Sequence, residues 1–515
     1  MDTYMVDGDN AQSPLTSIPL EVLLQVTSHL TTPEYGSLRR TCKAIEASLF
    51  NAFSREFFTK RQFMLTEFSL QALVDISKSR LSTSMKHVIL GLERPYSNSF
   101  SHITRPSGNQ TDPDLQQNGL LQEYVGHMVL ISTGQDVEML AEAFSNLGNL
   151  DRIEIRDFYS RTRRRDYPNI EWKSYGVSTF EQITGSQLER PRRTHIFGSR
   201  SDELPERLSR IFLNTLRALG KADARPKHFE VILRETSLHD HAFIIPKYTE
   251  HLVQPVLANL RTLFLDINCD SPVVRVEADN QPRQCPSYLL RIFLSKVTDL
   301  EYLRLNFHSY PRDSSNDFLL WLAMQVPTPT PNGPSRTLYP NAPLPVEFHN
   351  LQQLDIGMTA INPELMVEIV RKYRATLRSI SFHKVSLWQT EPVQRGEKVD
   401  LWGEFFAKLS KLYLNLSRVN MSFLSQVLLG PERIQQIQFE GSRVPAIRKW
   451  AGTDIQSGLR DFISEIKVDR SGDVDSENSE SDDSDSELSD SFPPRNPSRF
   501  FPRGISRARA RNPVV

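Results

Sequence analysis

From Leu15 to about Phe63, apolar residues recur at helical spacing. Val22, Leu23, Val26 and Leu30 follow a start in which Ser17 can cap and Pro19 occupies the first turn, where a missing N–H wastes no hydrogen bond. A second start signal comes at Thr32-Pro33-Glu34. Leu38, Cys42, Ile45 and Leu49 then fall on one stripe, with Arg39, Arg40 and Lys43 on the opposite face. The pattern predicts two short amphipathic helices over residues 18–53, joined by a tight corner. Such a unit cannot enclose a core of its own, so its stripe must pack against another surface.

Beyond this segment the pattern changes. A Leu-x-x-Leu-x-Leu spacing appears at Leu150–Ile155, Leu260–Leu265, Leu300–Leu305, Leu351–Ile356, Leu377–Phe382, Leu409–Leu414 and Ile434–Phe439, with Met85–Leu90 as a further instance. The final alternation in each predicts a short strand with one buried face. Helical stretches stand between copies, such as residues 363–374 with their proline start and acidic first turn. Strand plus helix per unit predicts an irregular leucine-rich-repeat-like solenoid over 64–468. The spacing between copies is uneven, whereas a regular repeat runs at about 20–29 residues. A non-solenoid α/β domain would show the same strands, because aliphatic alternation reports burial and not stacking.

The N-terminal helical segment resembles an F-box, the module that docks F-box proteins onto the small adaptor of cullin-type ubiquitin ligases. The residues carrying the resemblance are the Ile18-Pro19-x-Glu21 opening, the aliphatics Leu23, Val26 and Leu30, and the Leu38-Arg39-x-Thr41-Cys42-Lys43 run. The continuation from Phe57 is similar to that of filamentous-fungal F-box proteins, extending the resemblance to about the first 95 residues. The resemblance implies adaptor contact for Ile18, Pro19, Glu21, Leu23, Val26 and Leu30. It implies packing inside the module for Leu38, Cys42, Ile45 and Leu49. Gly36 departs from the pattern, since many F-boxes carry an aliphatic residue there.

Composition marks the segments between. Residues 1–14 are polar and predicted disordered, and 15–63 form the F-box-like module. Residues 95–119, 159–205 and 327–345 read as loop insertions; the last is dense in proline, which fixes φ and removes a donor. Residues 469–515 form a tail, acidic and serine-rich to residue 490 and arginine-rich from 495, with too little apolar surface to offset the entropy of ordering. Within it, Ser479 and Ser484 each precede an acid by three positions, which suits an acid-directed kinase.

The formal net charge is -1, which gives no warrant for a nucleic-acid partner. Three cysteines exclude a disulfide scaffold and fit a reducing compartment. No apolar run reaches the roughly 18 residues of a membrane span, and the acidic, polar start is unlike a secretory signal. A cytoplasmic or nuclear protein without a membrane partner is expected. The chain lacks the phosphate-binding, dinucleotide-binding, nucleophile-elbow and zinc-protease motifs. His239-Asp240-His241 reads as a surface turn, and Arg161, Arg163, Arg164 and Arg165 as a solvated face. No cofactor, metal or catalytic residue is expected.

The expected fold is therefore α+β or α/β: a small helical F-box module, an irregular leucine-rich-repeat-like solenoid and a disordered tail. The expected role is that of a non-catalytic substrate receptor, binding a Skp-type adaptor (and through it a cullin) with the helices and an unidentified protein target with the repeat region. The alternative is a ligase-independent scaffold whose helices pack on its own repeat domain.

Overall fold

A computed structural model describes residues 14–95, 113–160, 165–166, 171–188, 190, 203–269, 285–308, 312–326, 342–392, 398–429 and 434–469. The expected disorder of 1–14 and 469–515, and Ser479 and Ser484 with it, falls almost wholly outside these residues. The chain divides into two compact units, Met1–Asp151 with Phe158–Glu189, and Arg152–Asp157 with Arg190–Val515.

The first unit opens with three helices, not two: α1 (Leu20–Ser28), α2 (Thr32–Arg39) and α3 (Lys43–Phe58). Ser17 does not cap α1. Its hydroxyl donates to the Pro14 carbonyl within a 3-10 turn, and Pro19 is the residue that precedes the helix. Thr31 starts α2 with a capping box, its N–H donating to Glu34 Oε2 at 2.8 Å. Cys42 is extended and begins α3, so the single stripe read through Leu38, Cys42, Ile45 and Leu49 is broken between two helices. Strands β1 (Lys60–Met64) and β2 (His87–Gly91) pair in parallel around α4 (Glu67–Ser77). Helices α5 (Pro113–Thr133), α6 (Gln135–Asn146) and α7 (Val177–Thr184) complete the unit. The insertion expected at 95–119 thus ends in helix from Pro113, and the one at 159–205 contains α7.

The second unit is built on a large, mostly parallel sheet. Its strands are β3 (Arg152–Arg156), β4 (His228–Ile232), β5 (Leu238–His239), β6 (Thr262–Asn268), β7 (Tyr302–Phe307), β8 (Gln353–Gly357), β10 (Ser379–His383) and β12 (Arg418–Ser422), ending on antiparallel β15 (Ile447–Ala451). The spatial order is β3-β4-β6-β7-β8-β10-β12-β15, with the short β5 beside β6. Helices α8 (Glu203–Lys221), α9 (Lys247–Asn259), α10 (Tyr288–Ser295), α11 (Arg312–Ala323), α12 (Pro363–Tyr373) and α13 (Leu401–Ser410) fall between strands. A second sheet joins β9 (Ala360–Ile361), β11 (Ser386–Pro392), β13 (Ser425–Leu429), β14 (Ile434–Phe439) and β16 (Ile466–Val468), with α14 (Ile455–Glu465) before the last.

This corrects the expected fold class. The described residues form a large, mostly parallel α/β sheet with helices, and not a helical F-box module followed by a leucine-rich-repeat solenoid. The physical reason lies in what the leucine spacing measures. It marks strands buried in a parallel sheet, and every such α/β sheet shares that mark. Most of the recognised segments do fall on strands; Leu409–Leu414 instead closes α13 and enters a turn, where Tyr413 has φ 49°. The neighbouring strand is β12, whose apolar residues Val419 and Met421 the leucine spacing does not mark.

The expectation of one buried face per strand is also corrected. Leu263, Leu303, Leu354, Ile380 and Val419 stand in one row across the sheet, and Leu265, Leu305, Ile356, Phe382 and Met421 in the next. The residues between them form the other face, and they too are buried: Glu154, Glu230, Phe264, Arg304, Asp355 and Ser381. Charges in that position must be paired. Arg304 meets Asp355 at 3.3 Å, and its guanidinium also donates to the Tyr302 hydroxyl at 2.9 Å. Arg152 reaches Glu230 at 2.9 Å, and Arg156 donates to Glu154. These partners lie in different strands or two residues apart on one strand.

After β8, β10 and β12 the chain turns into the second sheet through Met358, Lys384 and Phe423, all with positive φ (57°, 51° and 53°). Their N–H groups donate to His383, Ser422 and Ala446 carbonyls, each at 2.8 Å. The left-handed backbone costs these side chains about 1–2 kcal/mol each. The first two bonds tie each corner to the next, and the third ties the last corner to the chain entering β15.

Asp157, directly after β3, is buried and accepts the N–H groups of Arg234 (2.8 and 3.0 Å) and Glu235 (2.7 Å). Burial raises its carboxyl from the ordinary value to about 6, more than these bonds lower it. A carboxyl with a raised folded pKa binds its proton more tightly in the native state than in the unfolded one. Its contribution to stability is therefore present below the unfolded value and is lost as pH rises through about 6. Wild type should lose about 2 kcal/mol relative to Asp157→Asn between pH 4 and pH 7. Urea unfolding of both proteins across that range checks it; a pH-independent difference would contradict the assignment.

Candidate interaction site

The three N-terminal helices close around Leu23, Tyr35, Ile45, Leu49 and Phe57, all buried. Ile18, Leu30, Leu38, Phe53 and Trp172 pack around this cluster. Tyr35 meets Phe53 edge-on at 5.9 Å, and Phe57 stacks on Trp172 at 5.8 Å. Leu23 and Thr27 face inward because they are four apart on α1. Pro19, Val22 and Val26 share a flank of the helix that does not face the cluster.

That flank is apolar and open. Leu20, Val22 and Val26 are 45–47% exposed and Leu15 37%, with Pro19 and Glu21 exposed beside them. Of the residues expected to contact an adaptor, Pro19, Glu21 and Val26 are accessible. Ile18 and Leu30 are half-buried against the helical core, and Leu23, at 2% exposure, is inside it. The expectation for Leu23 is corrected accordingly: it holds the module together. Cys42 is corrected in the other direction, since it is exposed and not part of the internal packing expected of it. Ile45 and Leu49 are buried, and Leu38 packs on the cluster from its edge. Leu15 and Leu20 are exposed, and so is Val22, which belongs to the open flank, although the family motif marks none of them. A helical wheel that sets Val22 and Val26 apart from Leu23 and Thr27 finds the last of them.

Arg165, read as part of a solvated face, fastens the module. Its guanidinium donates to the Thr27 carbonyl at 2.6 Å and to the Leu30 carbonyl, at the end of α1. It also pairs with Glu56 of α3 (2.6 and 3.1 Å) and lies 4.8 Å from the Tyr35 ring of α2. Asp166 accepts the Thr32 N–H at 3.0 Å and the Thr32 hydroxyl, at the start of α2. A cation thus meets a helix C-terminus and an anion a helix N-terminus, each complementing the peptide dipoles. Arg39 reinforces the same corner, 3.4 Å from the Phe53 ring and 2.8 Å from Glu46. Arg161, Arg163 and Arg164 lie outside the described residues.

The second unit carries ionisable groups that the sequence pattern does not single out. Burial raises the Asp355 carboxyl, although Arg304, Tyr302 and Gln353 act against it. Burial also pulls down the Arg304 guanidinium, but Tyr302, Asp355 and Glu230 together outweigh that and leave it raised. Burial holds the His383 imidazole well below its ordinary value, and Lys384 and Arg304 add to the effect. Its Nδ1 lies 2.8 Å from the Ser422 hydroxyl. These groups are enclosed, paired and in register across strands, which is the arrangement of a polar core. Among the described residues no group of three or more His, Cys, Asp or Glu side chains could hold a metal ion. Asp240 of the His239-Asp240-His241 turn accepts the N–H groups of Leu289 (3.2 Å) and Leu290 (2.9 Å), so the turn anchors α10. Trp402 is buried, its Nε1 donating to the Ser425 carbonyl at 2.8 Å.

No family model matches the chain, and no curated protein matches it. Among solved structures, a sugar phosphate isomerase/epimerase from Parabacteroides distasonis is matched at 9% identity, over 66% of this chain and 91% of that one, with a TM-score of 0.14. A likeness of that size carries no argument about activity or fold. The expectation of a non-catalytic subunit is not carried further. Among the described residues no helix is long and apolar enough to cross a membrane.

Two substitutions test the architecture of the module. Arg165→Ala should cost about 2–3 kcal/mol, the scale of hydrogen bonds to charged groups. Hydrogen exchange should show faster opening of residues 20–58 and unchanged protection in β6–β8. Gly36 lies inside α2 with open space where a Cβ would stand, so Gly36→Ala should add about 1 kcal/mol of stability, read by thermal melting.

Proposed function

We propose that the chain is an F-box-type substrate receptor. The helices α1–α3 dock on a Skp-type adaptor, and through it a cullin, while the large α/β unit engages a protein target. The observation that supports this reading is the exposed apolar flank of α1 formed by Pro19, Val22 and Val26. Its side chains are open on one side of a helical cluster whose other side is already packed. Joining the two binding events in one chain raises the effective concentration of target near the ubiquitin donor. The role belongs to the cytoplasm or nucleus. The ligase-independent scaffold is the second reading. It draws on Arg165, Asp166 and Trp172, which hold the inner side of the same helices within the chain itself.

The substitutions should follow exposure and not the family motif alone. Val22→Asp with Val26→Asp should weaken binding to purified adaptor by about 100-fold, roughly 3 kcal/mol, with an unchanged melting temperature. Leu23→Ala should lower the melting temperature instead, by removing buried contacts. Calorimetric titration of adaptor into wild type and variants separates the two effects. Wild-type protein that does not bind the adaptor at all would leave the scaffold reading standing.

A further inference from the structure

Between α8 and the first turns of α9 lies a cavity of about 300 Å³. Leu213, Ile245 and Val253 give it an apolar floor, and Arg210 and Arg217 stand on its α8 wall. His241 closes one side, its Nε2 3.0 Å from the Ser209 hydroxyl. Glu206 is the only acid among the lining residues. The sequence explains the wall: Arg210, Asn214, Arg217 and Lys221 recur at steps of four, three and four, on one face of the helix.

Spacing decides what such a wall can read. Seven residues of helix separate Arg210 from Arg217 by about 10 Å along the axis. A polyproline II segment has three residues per turn and advances about 3.1 Å per residue, so two anionic groups three positions apart share one face and span about the same distance. An apolar side chain beside them would meet the floor. The acidic tail holds two such pairs, Ser479 with Asp482 and Ser484 with Glu487, when the serine is phosphorylated. Only the second is followed directly by a large apolar residue, Leu488. The last described residue is Asp469, and the fifteen positions from there to Ser484 can extend over roughly 50 Å.

We propose that the cavity between α8 and α9 is a site for an acidic, phosphorylatable peptide, and that its occupant is the chain's own segment Ser484–Leu488. Arg210 and Arg217 meet the Ser484 phosphate and the Glu487 carboxylate, and Leu488 fills the apolar floor. The arginine-rich half of the tail has the wrong sign for this wall. Phosphorylation of Ser484 strengthens occupancy. The proposal concerns a different face of the molecule from the adaptor reading and stands or falls without it.

Zero-length carbodiimide cross-linking of the full-length chain, phosphorylated at Ser484 by an acid-directed kinase, tests it. Lys247, next to Pro246, and Lys221, one turn after Arg217, offer amines beside the cavity. Mass spectrometry should find them joined to carboxylates within 482–490, in monomeric protein, at a yield unchanged by tenfold dilution. Arg210→Glu with Arg217→Glu should reduce these links at least fivefold, as should Leu488→Ser, which leaves every described residue untouched. Links that survive both changes, or spread evenly over other lysines, would overturn the proposal. Links found only in cross-linked dimers would assign the site to the tail of a second copy and overturn it equally.

Discussion

Constant register is what the second unit rests on. From β6 to β12 each strand meets its neighbour without a slip, so each position of one strand stands beside the equivalent position of the next. One face therefore becomes rows of Leu, Ile and Phe. The other becomes a row in which Glu230, Arg304 and Asp355 are enclosed close to one another. A slip of one residue would exchange the two faces. It would put charges among leucines and separate Arg304 from Asp355. Removing one partner of a buried pair costs about 3–5 kcal/mol, so the charges oppose any wrong register more strongly than leucines would. The corners at Met358, Lys384 and Phe423 carry the same register into the second sheet, because the first two donate to the chain at the following corner and the third to the chain entering β15.

The first unit solves a different problem. Three short helices supply only a handful of buried side chains, too few to hold a cluster by apolar contact alone. Arg165 and Asp166 add what is missing. They bind the end of α1, the start of α2 and a side chain of α3 from outside the helical segment. The inner side of α1 is thereby committed to the chain, while Val22 and Val26 stay exposed.

Much of this is legible in the sequence, and the failures have physical causes. The start signal read at Thr32-Pro33-Glu34, one residue after the actual cap Thr31, and the proline before Leu20 place the first helices to within a few residues. The leucine spacing places β3, β6, β7, β8, β10 and β14, because a strand buried in a sheet leaves a local pattern. What it cannot give is the arrangement of those strands, and so a solenoid is expected where a large α/β sheet stands. Arg304 and Asp355 are 51 residues apart, and a polar residue between two leucines looks solvent-facing until its partner is known. Arg165 is unreadable for the same reason, since its contacts lie more than a hundred residues earlier. Leu23 and Cys42 show the opposite limit: the family motif marks them, but which side of a helix faces inward depends on α2 and α3 together.

The antiparallel strand β15 ends the row beside β12. A parallel sheet that simply stopped would offer a bare line of N–H and C=O groups, a template on which a foreign strand could lie. Here the terminal strand runs the other way and carries Arg448, held by Glu465 at 2.6 Å, next to an exposed Lys449. An incoming chain would have to bury those cations. This border opposes edge-to-edge pairing.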